Sequence, residues 1–254
     1  MMSAEPKILP SPYTARTVTL CIGPSRAKYF VSQAMVDQYP GLKTKLQERD
    51  NPNAPLMLRE VDEDIGHTLT HYLYTGQYQT LSLGSVPDED RLETEFKRSV
   101  LAYCAARLCG IDKLEELTKE KIEELSRELT IFNLQTVAEE VHSKLPEEGD
   151  WFSVRMNKWI KTQLADDDTL LTNDHLVGVI GGCALFDKAV VKGLTELYGE
   201  QKAKNSAVDE TNSPPEQEGE EEEEAEEAEP KIASTKNAIK ANGIVTHVSK
   251  NVFA

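Results

Sequence analysis

Apolar and polar positions alternate first in Thr17-Val18-Thr19-Leu20-Cys21-Ile22, the pattern of a strand with one buried face. Gly23-Pro24-Ser25 signals a turn, and Lys28 to Val31 returns as a second strand, so a hairpin is predicted. A short helix through Met35 and Val36 follows, with Pro40-Gly41 as its stop, then one or two helical turns at Leu42 and Leu46. After the Asn51–Pro55 break, Leu56-Met57-Leu58 reads as a brief buried strand. Asp62 is placed to cap a helix bearing Ile65, Leu69, Tyr72 and Leu73 on one face and ending near Gly76. Gln77 to Leu83 reads as extended. Phe96, Val100, Tyr103, Cys104 and Leu108 then trace a helical period up to Gly110. Asp112-x-x-Glu115 resembles a capping box opening a further helix through Leu129.

Beyond Thr130 the pattern is helical throughout. A short helix is predicted over Val137–Leu145, ended by Pro146, and a longer one over Trp151–Leu164. After the acidic break at Asp166-Asp167-Asp168, helical segments run from His175 to Tyr198, hinged at Gly181-Gly182. The last carries Phe186, Val190, Leu194 and Tyr198 at intervals of four, a single apolar stripe expected to pack on the body.

Composition changes this picture mainly at the C-terminal end. The chain has 254 residues and a formal net charge of −16. Residues 209–230 hold twelve acids and no base, whereas residues 231–254 hold four lysines and no acid. The 32 acids and 24 bases of residues 1–208 leave a body at −8, with no basic face for nucleic acid. The acidic run reads as a solvated spacer, or as a weak binder of basic proteins. No apolar run approaches membrane-spanning length, the opening residues form no secretory signal, and the four cysteines make no C-x-x-C pair. The expected setting is cytoplasmic or nuclear, with reduced thiols.

Candidate chemistry is sparse. Glu63, His67 and His71 lie four apart on a helix and could face one metal ion. The position after His67 is Thr68, where an H-E-x-x-H hydrolase needs its general base, so exposed helix polarity is the simpler reading. Neither a nucleophile elbow nor a glycine-rich phosphate loop is present. No catalytic residue, metal or cofactor is expected, and the metal-binding or hydrolase reading stands as the unfavoured alternative.

The strand Val18–Gly23, Phe30-Val31, Leu56–Leu58 and above all His71-Tyr72-Leu73-Tyr74-Thr75-Gly76-Gln77-Tyr78 resemble the BTB/POZ domain of filamentous-fungal proteins. Phe96–Ala106 and Ile111-x-x-Leu114 look like that family's last paired helices. The resemblance implies an α+β fold, a BTB/POZ-like small sheet with clustered α-helices at 14–130, followed by an α-helical extension at 131–200. Composition adds a flexible Pro- and Ser-rich N-terminus at 1–13 and a disordered tail, acidic then basic, at 201–254. The resemblance further implies a non-enzymatic protein-interaction module, working as a scaffold through homodimers or heterodimers and binding no nucleic acid, membrane or cofactor. Its pairing surface would fall at Met35, Val36, Tyr39 and Leu42, with exposed strand edges as a second surface, while Tyr72, Leu73, Tyr74, Thr75, Gly76 and Tyr78 mark the fold. A cullin ubiquitin-ligase adaptor is the alternative, on Leu46-Gln47-Glu48, although that triplet falls early for the family's motif.

Overall fold

A computed structural model describes residues 11, 14–84, 86–145 and 150–211, and the side chains up to 205. The N-terminal segment expected to be flexible lies outside the described residues except for Ser11. Pro146, the acidic run beyond Thr211 and the cationic end lie outside them as well.

The strand alternation is realised as an antiparallel hairpin. β1 (Thr17–Ile22) pairs with β2 (Ala27–Ser32), Thr17 opposite Ser32 and Ile22 opposite Ala27. Val18, Leu20 and Ile22 are buried at a period of two, and Cys21 on the other face is covered as well towards the end of the strand. Gly23 (φ 73°) and Arg26 (φ 60°) take left-handed conformations in the turn. At Gly23 a Cβ would fall 2.1 Å from Cγ of Glu63. The Glu63 carboxylate lies there because it accepts the Ser25 N–H at 2.6 Å and so pins the turn. β3 (Leu56–Leu58) joins the other side of β1 in parallel, with Leu20 opposite Leu56 and Ile22 opposite Leu58, giving the order β2-β1-β3.

A parallel neighbour needs a crossover, supplied by α1 (Gln33–Val36) and α2 (Pro40–Gln47). Pro40 therefore opens a helix where the pattern suggested a stop. At the first helical position its missing N–H costs nothing, and its fixed φ suits the helix. Gly41 sits against the end of α4 (Asp88–Cys109), where a Cβ would lie 2.4 Å from the Cys109 carbonyl oxygen.

Asp62 caps as predicted. Its Oδ1 accepts the Asp64 N–H at 3.1 Å and starts a 3-10 turn, Glu63–Ile65, that leads into α3 (Gly66–Thr75). Gly76 and Gly110 end α3 and α4 in the left-handed conformation. Residues 77–83 pair with no strand. α5 (Asp112–Leu125) follows α4, but the capping box expected at Asp112 is not formed. Ile111 is the capping residue and supplies no side-chain bond, while Glu115 pairs with Lys119. The reciprocal box lies instead at Thr130 and Asn133: Thr130 Oγ1 accepts the Asn133 N–H at 3.3 Å, and Asn133 Oδ1 accepts the Thr130 N–H at 3.0 Å. It opens α6 (Ile131–Val141), which starts and ends earlier than the predicted Val137–Leu145. Residues 142–144 form a 3-10 turn.

α7 (Trp151–Asp166), α8 (Asp174–Val179) and α9 (Ala184–Thr211) complete the chain described. α9 continues through the residues after 200 that were assigned to a disordered tail. α4 is the central helix, packed against α2, α3, α5 and α6, while α7 lies along α9. Phe96 of α4 and Phe152 of α7 are fully buried with ring centres 6.4 Å apart, and Trp159 meets both rings edge-on at 6.0 Å. At Gly193 the α9 backbone approaches α7 closely, a Cβ there lying 3.3 Å from Cα of Lys161. The result is an α+β fold with a small three-stranded sheet and a helical extension. Among the described residues, no helix is long and apolar enough to cross a membrane.

Candidate functional site

The structure takes most of the expected pairing surface into the core. Val36 and Leu42 are wholly inaccessible and Met35 nearly so; only Tyr39 is half-buried, its ring centre 6.2 Å from that of Tyr72. A four-residue helix presents too few positions for the pattern to separate its inner from its outer face. These side chains hold α1 and α2 to the body, and in this fold they offer a partner little beyond the edge of Tyr39.

The signature segment is also structural. Tyr72 and Leu73 are buried. Tyr74 is partly exposed, and its phenol donates to the Phe30 carbonyl and accepts the Ser32 N–H, both at 3.2 Å. It thereby occupies outward-facing backbone groups of β2, an edge strand. Thr75 Oγ1 donates to the His71 carbonyl at 2.8 Å and accepts the Gln77 N–H at 3.1 Å, tying off the end of α3 beside Gly76. Tyr78 shares a hydrogen bond with Ser99 Oγ at 3.0 Å, and burial pushes its phenol up to about 12.

The Glu63, His67 and His71 row does not converge. Glu63 is engaged by Ser25, which also holds its carboxyl below the usual range, while the two imidazoles stack on each other at 5.8 Å. Among the described residues, no group of three His, Cys, Asp or Glu side chains is placed to hold a metal ion, this row included. Cys104 lines a cleft of about 470 Å³ with Glu60, Asp62, Leu101, Leu108 and Lys144. Burial pushes that thiol up to about 12, far from the thiolate a nucleophile needs.

Two features had no motif to announce them. The first joins α4 and α5 to the start of α7. Asp150, its side chain 3% exposed, caps α7 by accepting the Ser153 N–H at 2.9 Å and Ser153 Oγ at 2.7 Å. Its other oxygen accepts the Tyr103 hydroxyl at 3.1 Å, and Arg107 Nη1 donates to that hydroxyl at 2.9 Å. The Tyr103 and Trp151 rings lie 5.5 Å apart, with the Lys119 ammonium over both. Burial, chiefly, pushes the Tyr103 phenol up to about 12, so it remains a donor.

The second feature is a groove of about 670 Å³ where α7 ends. Leu164, Leu171, Leu194, Leu197 and Tyr198 supply its apolar lining, and Asp168, Glu200 and Lys204 stand around it. It arises from unequal helix lengths. At 1.5 Å per residue, the 16-residue α7 spans about 24 Å and the 28-residue α9 about 42 Å. Lys161 meets α9 at Gly193 and bridges Glu196 and Glu200, and α7 stops soon afterwards. The stripe on α9 therefore changes role along its length. Phe186 and Val190 are core, Leu194 is half-buried, and Tyr198 is 70% exposed. The expectation that all four pack on the body holds for Phe186, Val190 and, at the rim of the core, Leu194, and fails at Tyr198.

Two family models match this chain in succession: the HAC6 N-terminal domain over residues 31–129 and the HAC6 small helical domain over residues 130–206. Two curated relatives, subtelomeric hrmA-associated cluster proteins from two strains of Aspergillus fumigatus, are each 32% identical over 146 residues. That stretch is 58% of this chain, and the chain spans 37% of the length of those relatives. No solved structure matches. The resemblance to BTB/POZ proteins is overturned by these findings, because the HAC6 N-terminal model covers residues 31–129, including the His71–Tyr78 segment that suggested it most strongly, and no BTB/POZ family is found. Its fungal character survives, since both relatives are fungal, and so does the coarse α+β fold with a helical extension. A cullin role rested on the same resemblance and loses that footing; Leu46 of the candidate triplet is, besides, buried. The Asp150 cluster then gains a meaning, for it fastens Tyr103, Arg107 and Lys119 of one matched domain to Asp150 and Trp151 of the other. With the two adjoining matches spanning residues 31–206, well over half of its length, the chain belongs to the HAC6 family through both domains.

Proposed function

We propose that this chain is a non-enzymatic protein-interaction module, and that it holds an apolar segment of a partner protein in the groove beside α9. One observation carries the reading: a stripe that begins as core at Phe186 and Val190 continues as groove lining at Leu194 and ends exposed at Tyr198. Exposed Leu171 faces the same groove. Apolar side chains gathered in one trough favour association, since covering them releases water at about 25 cal/mol per Å².

The test compares wild-type chain with Leu197→Asp in affinity capture, with circular dichroism confirming that both are folded. Partners captured by wild type should be lost by the variant and retained by Tyr39→Asp. An unchanged set of partners at unchanged yield for Leu197→Asp would overturn the proposal.

A further inference from the structure

We infer, on the reading of the α9 groove as a binding surface, that its occupant is an amphipathic helix of a partner protein with basic residues flanking its apolar stripe. The shape argues for a helix. Leu194, Leu197 and Tyr198 stand at the i, i+3, i+4 spacing of a helical ridge, and exposed Leu171 lines the same groove, with Leu164 buried at it. A third helix laid along that ridge would bury apolar positions at i, i+3, i+4 and i+7. A pocket for a small molecule buries most of its ligand. Here Leu171 is 47% and Tyr198 70% exposed, so the trough is open along one side.

The charge argues for a basic flank. Asp166, Asp167 and Asp168 are consecutive and exposed where α7 ends, and the negative end of the helix dipole falls at the same place. Asp168 and Glu200 stand at the groove with Lys204, and Glu200 is paired with Lys161, so the negative charge the groove offers a partner is that of Asp168 and its neighbours Asp166 and Asp167. A second copy of α9 matches this need less well, because its apolar face is flanked by acids and lysines together (Lys192, Glu196, Glu200 and Lys204) and not by bases alone.

The inference is tested by fluorescence anisotropy on the full chain with synthetic helical peptides of about 14 residues, four turns. One has leucines at i, i+3, i+4 and i+7 with lysine flanks, the second has the same leucines with glutamate flanks, and the third has lysine flanks with serines replacing the leucines. The leucine–lysine peptide should bind, and the leucine–glutamate peptide should bind at least about tenfold more weakly, the gap closing as salt is raised. Leu197→Asp should abolish binding, and Asp166→Asn with Asp168→Asn should remove the preference for lysine while keeping the leucine-dependent part. Equal binding of both leucine peptides, lost in Leu197→Asp, would refute the basic partner and leave the groove standing. Failure of both leucine peptides would refute the groove reading as well. Equally tight binding of the serine peptide would show that the acidic run at 209–230, and not the groove, attracts lysine, and would overturn the inference. A chain that dimerises in sedimentation, and ceases to with Leu197→Asp, would make a second copy the occupant and overturn it too.

Discussion

Asp150 is the residue whose replacement should most clearly loosen the helical domain from the N-terminal one. Its carboxylate accepts four contacts in a nearly inaccessible site: the Ser153 N–H and hydroxyl, the Tyr103 hydroxyl, and Arg107 at 3.9 Å. In Asp150→Ala the loss of the cap costs about 1 kcal/mol. Loss of the hydrogen bond from buried Tyr103 to a charged acceptor costs about 1.5–3 kcal/mol. Arg107 is more than a third exposed, so its screened attraction adds little. The sum is about 3 kcal/mol. Asp150→Asn keeps an equally good cap and a similar shape, and should cost about 1 kcal/mol, the charge-dependent part alone. Urea unfolding, with both variants compared at an unchanged slope, measures the two numbers. If Asp150→Ala lies within about 0.5 kcal/mol of wild type, or Asn costs as much as Ala, the account of the joint is wrong.

Three further outcomes follow from the packing. Gly41→Ala should destabilise by about 1–3 kcal/mol in the same assay, because the added methyl meets the Cys109 backbone carbonyl, which cannot swing aside; a neutral result would refute the close approach of α2 and α4. Tyr74→Phe should cost about 1 kcal/mol and speed hydrogen exchange at the Ser32 amide, whose partner it removes; unchanged exchange would count against that bond. The Ser25 bonds hold the Glu63 carboxyl below its ordinary value, so the turn is supported above that value and loses support only as pH falls through the lower folded one. Ser25 amide shifts followed by NMR should therefore titrate on the acid side of an ordinary glutamate, and Glu63→Gln should abolish the step.

Sequence pattern read the elements well where one face is buried and the other is wet. Val18, Leu20 and Ile22 could not alternate by accident, and Phe152, Met156, Ile160 and Leu164 define the inner face of α7 for the same reason. Glycines at 76 and 110 were legible because few other residues accept the left-handed ends of α3 and α4. Pro40 was misread because proline both stops one helix and starts the next, and only the crossover to β3 decides between them. The box at Thr130 was missed because its partner is Asn133, where the familiar form has an acid or glutamine. Tyr72–Tyr78 misled about family for a physical reason: its side chains serve the packing on Tyr39, the edge of β2, the end of α3 and Ser99 of α4, which are demands of the local fold and not marks of one family. The groove had no signal at all. A stripe spaced by four looks the same whether or not a second helix runs beside it, and α7 simply stops first.

Tyr74 decides something larger than one pair of hydrogen bonds. Strands at the margin of a sheet invite copies of themselves to zip on, and proteins pay for this hazard with charge, bulges or proline. Here a hydroxyl presented by a neighbouring helix occupies two of the backbone groups, at Phe30 and Ser32, that a next strand would use. Phe30, 62% exposed on that same margin, is the apolar side chain such a strand would meet first.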